Sequence, residues 1–224
     1  MNAKLENALE RLNRILPLRK KQDECDKETR ALYQQILRSF VTKGRILTRE
    51  EMVRNAGNPE AALKRLRDDG MVVFSADGDP VGAYPFTMEP REHKVRVNGY
   101  QVHAMCALDA LAVSPMFEVK TQIDSRCRIT GDRVEIRQSG TSIENPDEAG
   151  EFHVGIAWGA ADEHSSTADS LCREMIFLRD GEVARQWNAD DFENKEIFTL
   201  PEAVEFARRH FVPLVSRRFR CTSS

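Results

Sequence analysis

The chain has 224 residues, of which 41% are hydrophobic and 31% charged, with a formal net charge of −3 and a pI near 6.0. This near-neutral balance excludes a general electrostatic attraction to nucleic acid or to anionic membranes. No run approaches the roughly 18 apolar residues of a membrane-spanning helix. The first residues also lack the apolar stretch of a signal peptide, so we expect a cytoplasmic protein.

Five cysteines are present: Cys25, Cys106, Cys127, Cys172 and Cys221. In a reducing compartment they are expected to be free thiols. None belongs to a C-x-x-C pair, which argues against a zinc ribbon or a thioredoxin-type site. Any cysteines that act together must therefore be brought together by the fold.

The first predicted unit comprises residues 1–28. Residues 4–16 predict an amphipathic helix, because five apolar side chains recur on one helical face: Leu5, Leu9, Leu12, Ile15 and Leu16. The following segment, PLRKKQDECDKE, predicts an exposed and charged connector. Cys25 lies in this connector and is expected to be incidental, as is Cys221 near the end of the chain.

The second predicted unit, residues 29–90, has the element order of a winged helix. Three helices are predicted, over 29–44, 48–57 and 58–70, followed by a hairpin that joins MVVFS to VGAYPFTM. Thr48 and Glu51 have the spacing of a capping box, and Asn58 is a predicted N-cap. The charges of the third helix sum to zero, which favours a structural or substrate-covering module over a DNA-reading one.

The third predicted unit, residues 91–224, is a mainly antiparallel β core with flanking helices. Asn98-Gly99 between two alternating runs predicts a type I′ hairpin over 93–104, followed by a helix up to Pro115. Four further strands are predicted in FEVKTQID, DRVEIRQ, EFHVGIAW and REMIFLRD, before a terminal helix that starts near Thr199. The whole chain is therefore predicted to be an α+β protein with an N-terminal winged-helix-like module.

Cys106 and Asp109 form the first candidate site. Cys106 is predicted in the first helical turn after the hairpin, where free amides and the helix dipole favour a thiolate and lower the thiol pKa. Asp109, three positions on, shares its face and could take or give a proton. The spacing alone leaves open whether this pair is catalytic or is an inert buried cysteine beside a helical aspartate.

Three cysteine contexts resemble those of one enzyme family. MCALDAL (105–111), SRCRITG (125–131) and DSLCREMIFL (169–178) follow the winged-helix-like segment in the order found in the organomercurial lyases, also called alkylmercury lyases. The resemblance implies that Cys106 and Cys172 capture mercury, that Asp109 handles the proton and joins them in the mercury site, and that Cys127 is structural. The chain departs from the family at Met105, where tryptophan is common, and at Arg173, where some members have a second cysteine.

The resemblance implies cleavage of R–Hg⁺ by protonolysis to a hydrocarbon and Hg(II), as part of organomercury detoxification. Soft thiolates suit mercury, and two preorganised thiolates chelate it better than one. Mercury is then both substrate and product, no resident cofactor is expected, and low-molecular-weight thiols are needed for turnover. Mercuric reductase is the implied acceptor of Hg(II), while neither a nucleic acid nor a membrane is expected as a partner.

Two alternatives remain open from the sequence. The first is a winged-helix transcription regulator whose cysteines sense a soft metal without cleaving anything, and the second is a relative that acts on organotin or organolead compounds. Cys172 could also be no more than a small residue at the start of a buried strand. Chelation requires that the sulfurs of Cys106 and Cys172 lie within about 7 Å of each other.

Overall fold

The computed structural model describes residues 3–55, 57–162 and 165–215. Its N-terminal part is helical, and the three predicted helices of the second unit are confirmed with their caps. Thr48 and Glu51 form the capping box, with Thr48 N–H donating to Glu51 Oε2 at 2.8 Å, and the Asn58 side chain accepts from the Ala61 amide. The helices are α1 (Ala3–Ile15), α2 (Leu18–Glu24), α3 (Lys27–Lys43), α4 (Arg49–Asn55) and α5 (Pro59–Asp68).

The prediction of an exposed connector after the first helix is wrong, because this segment forms α2. Leu18 and Gln22 are buried on its inner side, and the Gln22 side-chain amide donates to the Leu214 carbonyl at 2.7 Å. Charged residues cover the outer side, for example in the ion pair of Arg19 with Asp23 at 2.9 Å. Cys25, predicted in an exposed stretch, is only 7% exposed.

One eight-stranded antiparallel sheet is formed by residues 72–143, in the order β1-β2-β3-β5-β4-β6-β7-β8. Because β3 joins the early hairpin to β5, the sheet is continuous across residue 90. The winged-helix assignment and the division into three units therefore stay predictions. The strands are β1 (Val72–Phe74), β2 (Pro80–Ala83), β3 (Phe86–Thr87), β4 (His93–Val97), β5 (Tyr100–Ala104), β6 (Lys120–Arg126), β7 (Arg133–Ser139) and β8 (Ser142–Ile143).

The hairpin of β4 and β5 confirms the strongest local prediction. Asn98 and Gly99 both have positive φ, 49° and 83°, as a type I′ turn requires. Val97 pairs with Tyr100 across the turn, and the register ends with His93 opposite Ala104. The hairpin thereby brings the chain to the start of the next helix.

That helix, α6 (Ala107–Phe117), is the centre of the core, and its residues from Ala107 to Met116 are all buried. It continues past Pro115, where the sequence predicts its end. Proline leaves the carbonyl four residues earlier, that of Leu111, without its helical donor. The side-chain amide of Gln138 donates to this carbonyl at 3.0 Å, so the helix continues without an orphaned acceptor.

A second antiparallel sheet has the order β10-β9-β11. The strands predicted in EFHVGIAW and REMIFLRD are confirmed as β9 and β10, whereas β11 and α8 were not predicted. The mixed-helix and antiparallel-sheet architecture of the α+β prediction is thus confirmed. The remaining elements are α7 (Pro146–Ala149), β9 (His153–Ala157), β10 (Met175–Leu178), α8 (Gly181–Asn188), β11 (Lys195–Thr199) and α9 (Leu200–Val215).

The terminal helix α9 packs on α6 and starts as predicted, with a capping box. Thr199 N–H donates to Glu202 Oε2 at 2.9 Å, and Glu202 N–H donates back to the Thr199 hydroxyl. Across the described residues, none of the helices combines the length and the apolar character that a bilayer crossing requires.

Because the backbone of Gly99 is in the left-handed region, we expect a side chain at this position to lower stability through backbone conformation alone. A Cβ at this position would meet no atom within 4 Å, so Gly99→Ala should lower the free energy of unfolding by about 1–2 kcal/mol through backbone strain alone. Denaturant titration measures the change. Gly159→Ala is the control, because its φ is not in the left-handed region and its Cβ would lie 3.7 Å from its nearest neighbour. Equal stability of the two variants would contradict the explanation.

Candidate active site

Cys106 is the N-cap of α6, and its sulfur takes the place of the usual capping oxygen. The Asp109 N–H donates to Cys106 Sγ at 3.4 Å, so the thiol lies at the positive end of the helix. The Met105 N–H donates to the Pro85 carbonyl at 3.2 Å and fixes the passage from β5 into this cap. Cys106 therefore occupies the position that the sequence predicts, at the start of the helix.

Cys172 lies beside Cys106 in the fold, although the two residues are far apart in the sequence. It lies in a 3₁₀ turn, Leu171–Glu174, that leads into β10, and its N–H donates to the Thr167 carbonyl at 2.9 Å. The sulfurs of Cys106 and Cys172 and a carboxylate oxygen of Asp109 all lie within 4.8 Å of one another. This satisfies the distance that chelation by both thiols requires, while the roles of the three residues stay predictions.

The cluster is enclosed by the core. Cys106 and Asp109 are each 1% exposed and Cys172 is 3% exposed. Both carboxylate oxygens of Asp109 are buried, no cation pairs with them among the described residues, and only Cys106 interacts with them by hydrogen bonding. Burial raises the pKa of Asp109 to about 7, and its interactions with Cys106 oppose this only in part.

The expected lowering of the Cys106 pKa by the helix terminus is wrong. Burial raises the pKa of the Cys106 thiol well above its usual range, and the neighbouring thiol and carboxylate act in the same direction. For Cys172, interaction with Cys106 lowers the pKa and burial raises it, and the net direction is upward. The cluster therefore consists of two thiols beside a carboxyl group that titrates near neutrality.

Comparison with known proteins agrees with this chemistry. The family model of MerB, the alkylmercury lyase, matches residues 86–212, which is more than half of the chain. This chain belongs to the alkylmercury lyase family. The alkylmercury lyases of Bacillus cereus and Clostridium butyricum are each 27% identical to it over 173 residues, 77% of either chain.

A more distant alkylmercury lyase, from Staphylococcus epidermidis, is 26% identical over 160 residues, covering 71% of this chain and 72% of its own. A solved structure, the mercury-bound form of MerB2, superposes with a TM-score of 0.70. It covers 89% of this chain and 98% of its own at 23% identity, so it shows a common fold.

Arg91 lies near the cluster and is a residue that the sequence did not predict. Its guanidinium donates to the Ala168 carbonyl at 3.4 Å and pairs with Asp169 at 3.0 Å, although its side chain is only 11% exposed. His103 Nδ1 contacts the Arg91 backbone, at 3.0 Å from its amide nitrogen and 2.8 Å from its carbonyl oxygen. Arg91 thus ties the loop before β4 to the segment that carries Cys172, and its charge favours the Cys172 thiolate.

Tyr84 lies near both the cluster and a neighbouring cavity. It is 1% exposed, and its hydroxyl hydrogen-bonds with the Thr167 side chain and the Ala168 backbone. Burial and the nearby Cys172 and Asp109 raise its pKa, so Tyr84 is a neutral phenol. A cavity of about 640 Å³ is lined by Tyr84 and Thr167 together with the α1–α2 junction and the end of α5.

Two methionines complete the surroundings of the cysteines. Met105, the position where the family commonly has tryptophan, is 3% exposed, and its methyl group packs against Gly82. Met175 is 2% exposed, and its Sδ lies 3.6 Å from Cys106 Sγ. In the sequence, Met175 stands at the start of the predicted strand that follows Cys172. Only the fold shows that its thioether faces Cys106.

The other cysteines lie apart from the cluster. Cys127 packs in a separate apolar group with Ile176 and Leu178, and forms a backbone bridge with Phe177. Burial raises its pKa, but hydrogen bonds from Thr130 and from nearby amides outweigh this and lower it overall. Its structural role stays a prediction, and Cys221 lies outside the described residues.

The raised pKa of Asp109 predicts how stability depends on pH. Below about pH 4 the carboxyl is protonated in both folded and unfolded chains, so it makes no difference to stability. Between about pH 4 and 7 the unfolded chain loses the proton first, so the free energy of unfolding falls, by an amount on the order of 4 kcal/mol for a shift from 3.8 to about 7. Asp109→Asn should abolish this fall.

The comparison is made by denaturant titration of both proteins at pH 4.5, 6 and 8, conditions chosen to bracket the Asp109 titration. The buried His93 and His210, whose pKa values burial lowers to about 3 and about 4, change stability in the opposite direction. They are present in both proteins, so the difference between the two curves isolates Asp109. Parallel curves would mean that Asp109 is ionised in the core.

Proposed function

We propose that this protein is a carbon–mercury lyase that converts R–Hg⁺ and a proton into RH and Hg(II), with Cys106, Cys172 and Asp109 as its reacting groups. The observation that carries the proposal is the meeting of two buried thiols and a buried carboxyl group within 4.8 Å of one another. Thiolates are the ligands that a soft metal prefers. A carboxyl group beside them supplies the proton that carbon requires when the carbon–mercury bond breaks.

The first step is ligand exchange. A substrate that arrives as R–Hg–SR′ transfers its mercury to one cysteine, which forms a sulfur–mercury bond and releases R′SH with the cysteine's proton. The second cysteine then coordinates the same mercury, and the proton that it loses replaces the one that Asp109 gives to carbon. Because both sulfurs are held in place by the fold, the second bond forms at a high effective concentration.

The second step is protonolysis. Coordination by two sulfurs places electron density on mercury and its bound carbon, and the Asp109 carboxyl delivers its proton to that carbon. RH leaves and Hg(II) remains bound to both sulfurs. An acid with a pKa of about 7 is suited to this exchange, because it accepts a proton from a thiol and returns it at neutral pH.

Turnover requires that Hg(II) leave the cysteines. Two external thiols exchange onto mercury and return the two protons to Cys106 and Cys172, so no resident cofactor enters the cycle. Low-molecular-weight thiols and mercuric reductase are the acceptors that we propose, in a cytoplasmic detoxification pathway. We further propose that the winged-helix-like residues 29–90 cover the site, since Tyr84 of this segment lines the adjoining cavity and lies near Cys172 and Asp109.

The activity is tested by anaerobic incubation with phenylmercury and excess small thiol, with benzene measured by gas chromatography. The wild-type protein should release benzene, whereas Cys106→Ser and Cys172→Ser should release none because either leaves a single sulfur. Asp109→Asn should slow release by roughly 10²–10⁴-fold, the usual contribution of a general acid. Cys25→Ser, outside the cluster, is the matched control and should retain the wild-type rate.

Two results would contradict the proposal in different ways. Tight Hg(II) binding that needs both cysteines, without any benzene, would favour the metal-sensing regulator, which a salt-dependent DNA gel shift then tests. Benzene release that survives both cysteine substitutions would separate the activity from this cluster.

A further inference from the structure

The thioether of Met175 faces the thiol of Cys106 inside the cluster. Its Sδ accepts the Cys106 S–H at a sulfur–sulfur distance of 3.6 Å, and the residue is 2% exposed. Most buried methionines serve as adaptable apolar filling. A thioether lone pair directed at a metal-binding sulfur in a buried pocket has a further chemical use, because thioethers are soft ligands.

The backbone holds Met175 together with Cys172. The Met175 N–H donates to the Cys172 carbonyl at the end of the 3₁₀ turn, so one short turn presents both sulfur side chains. Met175 is the first residue of β10 and pairs with Ile156 of β9, the central strand of the second sheet. Its position is therefore set by the same elements that place Cys172 beside Cys106.

We propose that Met175 Sδ is a third sulfur ligand to mercury, beside Cys106 and Cys172, an inference that rests on the proposed function of this cluster. When mercury replaces the proton of Cys106, the metal occupies the side of the sulfur that faces Met175. The S–H···S hydrogen bond is lost with the proton, which leaves the Sδ lone pair free to donate to mercury. No other bond breaks, and a neutral thioether has no proton to release.

This ligand acts mainly after the carbon–mercury bond has broken. While the organic group is bound, mercury already has three donors: carbon and two thiolates. Departure of RH leaves Hg(II) with two thiolates, and the thioether fills the position that becomes free. Met175 therefore slows the loss of Hg(II) to solvent thiols and has little influence on cleavage itself.

The test is Met175→Leu, which keeps the volume and apolar character of the side chain and removes its sulfur. The control is Met52→Leu, a fully buried methionine of α4 outside the cluster. Each protein is loaded with Hg(II), mixed with a small dithiol, and followed by the ultraviolet absorption of the mercury–thiolate bonds. Met175→Leu should release mercury about tenfold faster than the wild type, equivalent to ~1.4 kcal/mol, and Met52→Leu at the wild-type rate.

A direct structural measurement keeps the proposal testable if Met175→Leu folds poorly. In the Hg(II)-loaded wild-type protein labelled with selenomethionine, X-ray absorption at the selenium edge should show a mercury neighbour, which disappears when Cys106 is replaced by serine. Absence of a mercury neighbour, or equal release from all three proteins, would overturn the third ligand. Benzene release from the wild type is measured in parallel, so that loss of the lyase activity itself is recognised separately.

Discussion

The site is built around a carboxyl group that is buried beside two thiols. An ionised carboxylate in the core would cost several kcal/mol, and among the described residues Asp109 has no cation beside it and interacts only with Cys106 at its oxygens. The protein accommodates Asp109 by raising its pKa to about 7, so that the neutral acid is available at physiological pH. The rest of the fold keeps water out and holds two thiols against this acid.

The helix α6, which carries Asp109, can be buried on all sides because its polar groups form hydrogen bonds with residues outside the helix. Gln138 satisfies the carbonyl that Pro115 leaves free, and the Ser114 hydroxyl contacts the Val119 carbonyl and the Gly140 amide. These contacts come from the eight-stranded sheet, whereas Cys172 comes from the turn before the second sheet. The cluster therefore forms only where the two sheets meet around α6, and Arg91 joins the two sides.

The features that sequence predicted correctly are those set by neighbours in the chain. The Asn98-Gly99 turn, the capping boxes and the relation of Cys106 to Asp109 each depend on residues within a few positions of one another. The approach of Cys172 to Cys106 is a tertiary contact, and only the family resemblance indicated it. The predicted lowering of the Cys106 pKa failed because the helix terminus is a local feature, whereas burial, which outweighs it, depends on the whole core.

The same limit explains the other differences. The segment of α2 is mostly charged, and its burial of Leu18 and Gln22 depends on α9, almost two hundred residues away. Arg91 looks like an ordinary surface cation in the sequence, because its contacts with Ala168 and Asp169 exist only in the folded chain. Met175 has the pattern of a strand residue, and its orientation toward Cys106 follows from the pairing of β10 with β9.

A buried site of this kind suits a reaction in which its net charge does not change. The cluster contains two thiols and a carboxyl group, and it carries no net charge when Asp109 is protonated. Exchange replaces one thiol proton by R–Hg⁺, and cleavage sends the second proton through Asp109 to carbon, leaving Hg(II) bound by two thiolates. Each proton that leaves is matched by one positive charge on mercury, so the proposed cycle starts and ends without an uncompensated charge in the core. A low-dielectric pocket, which would oppose the formation of free thiolates, therefore does not oppose their formation together with the metal bond.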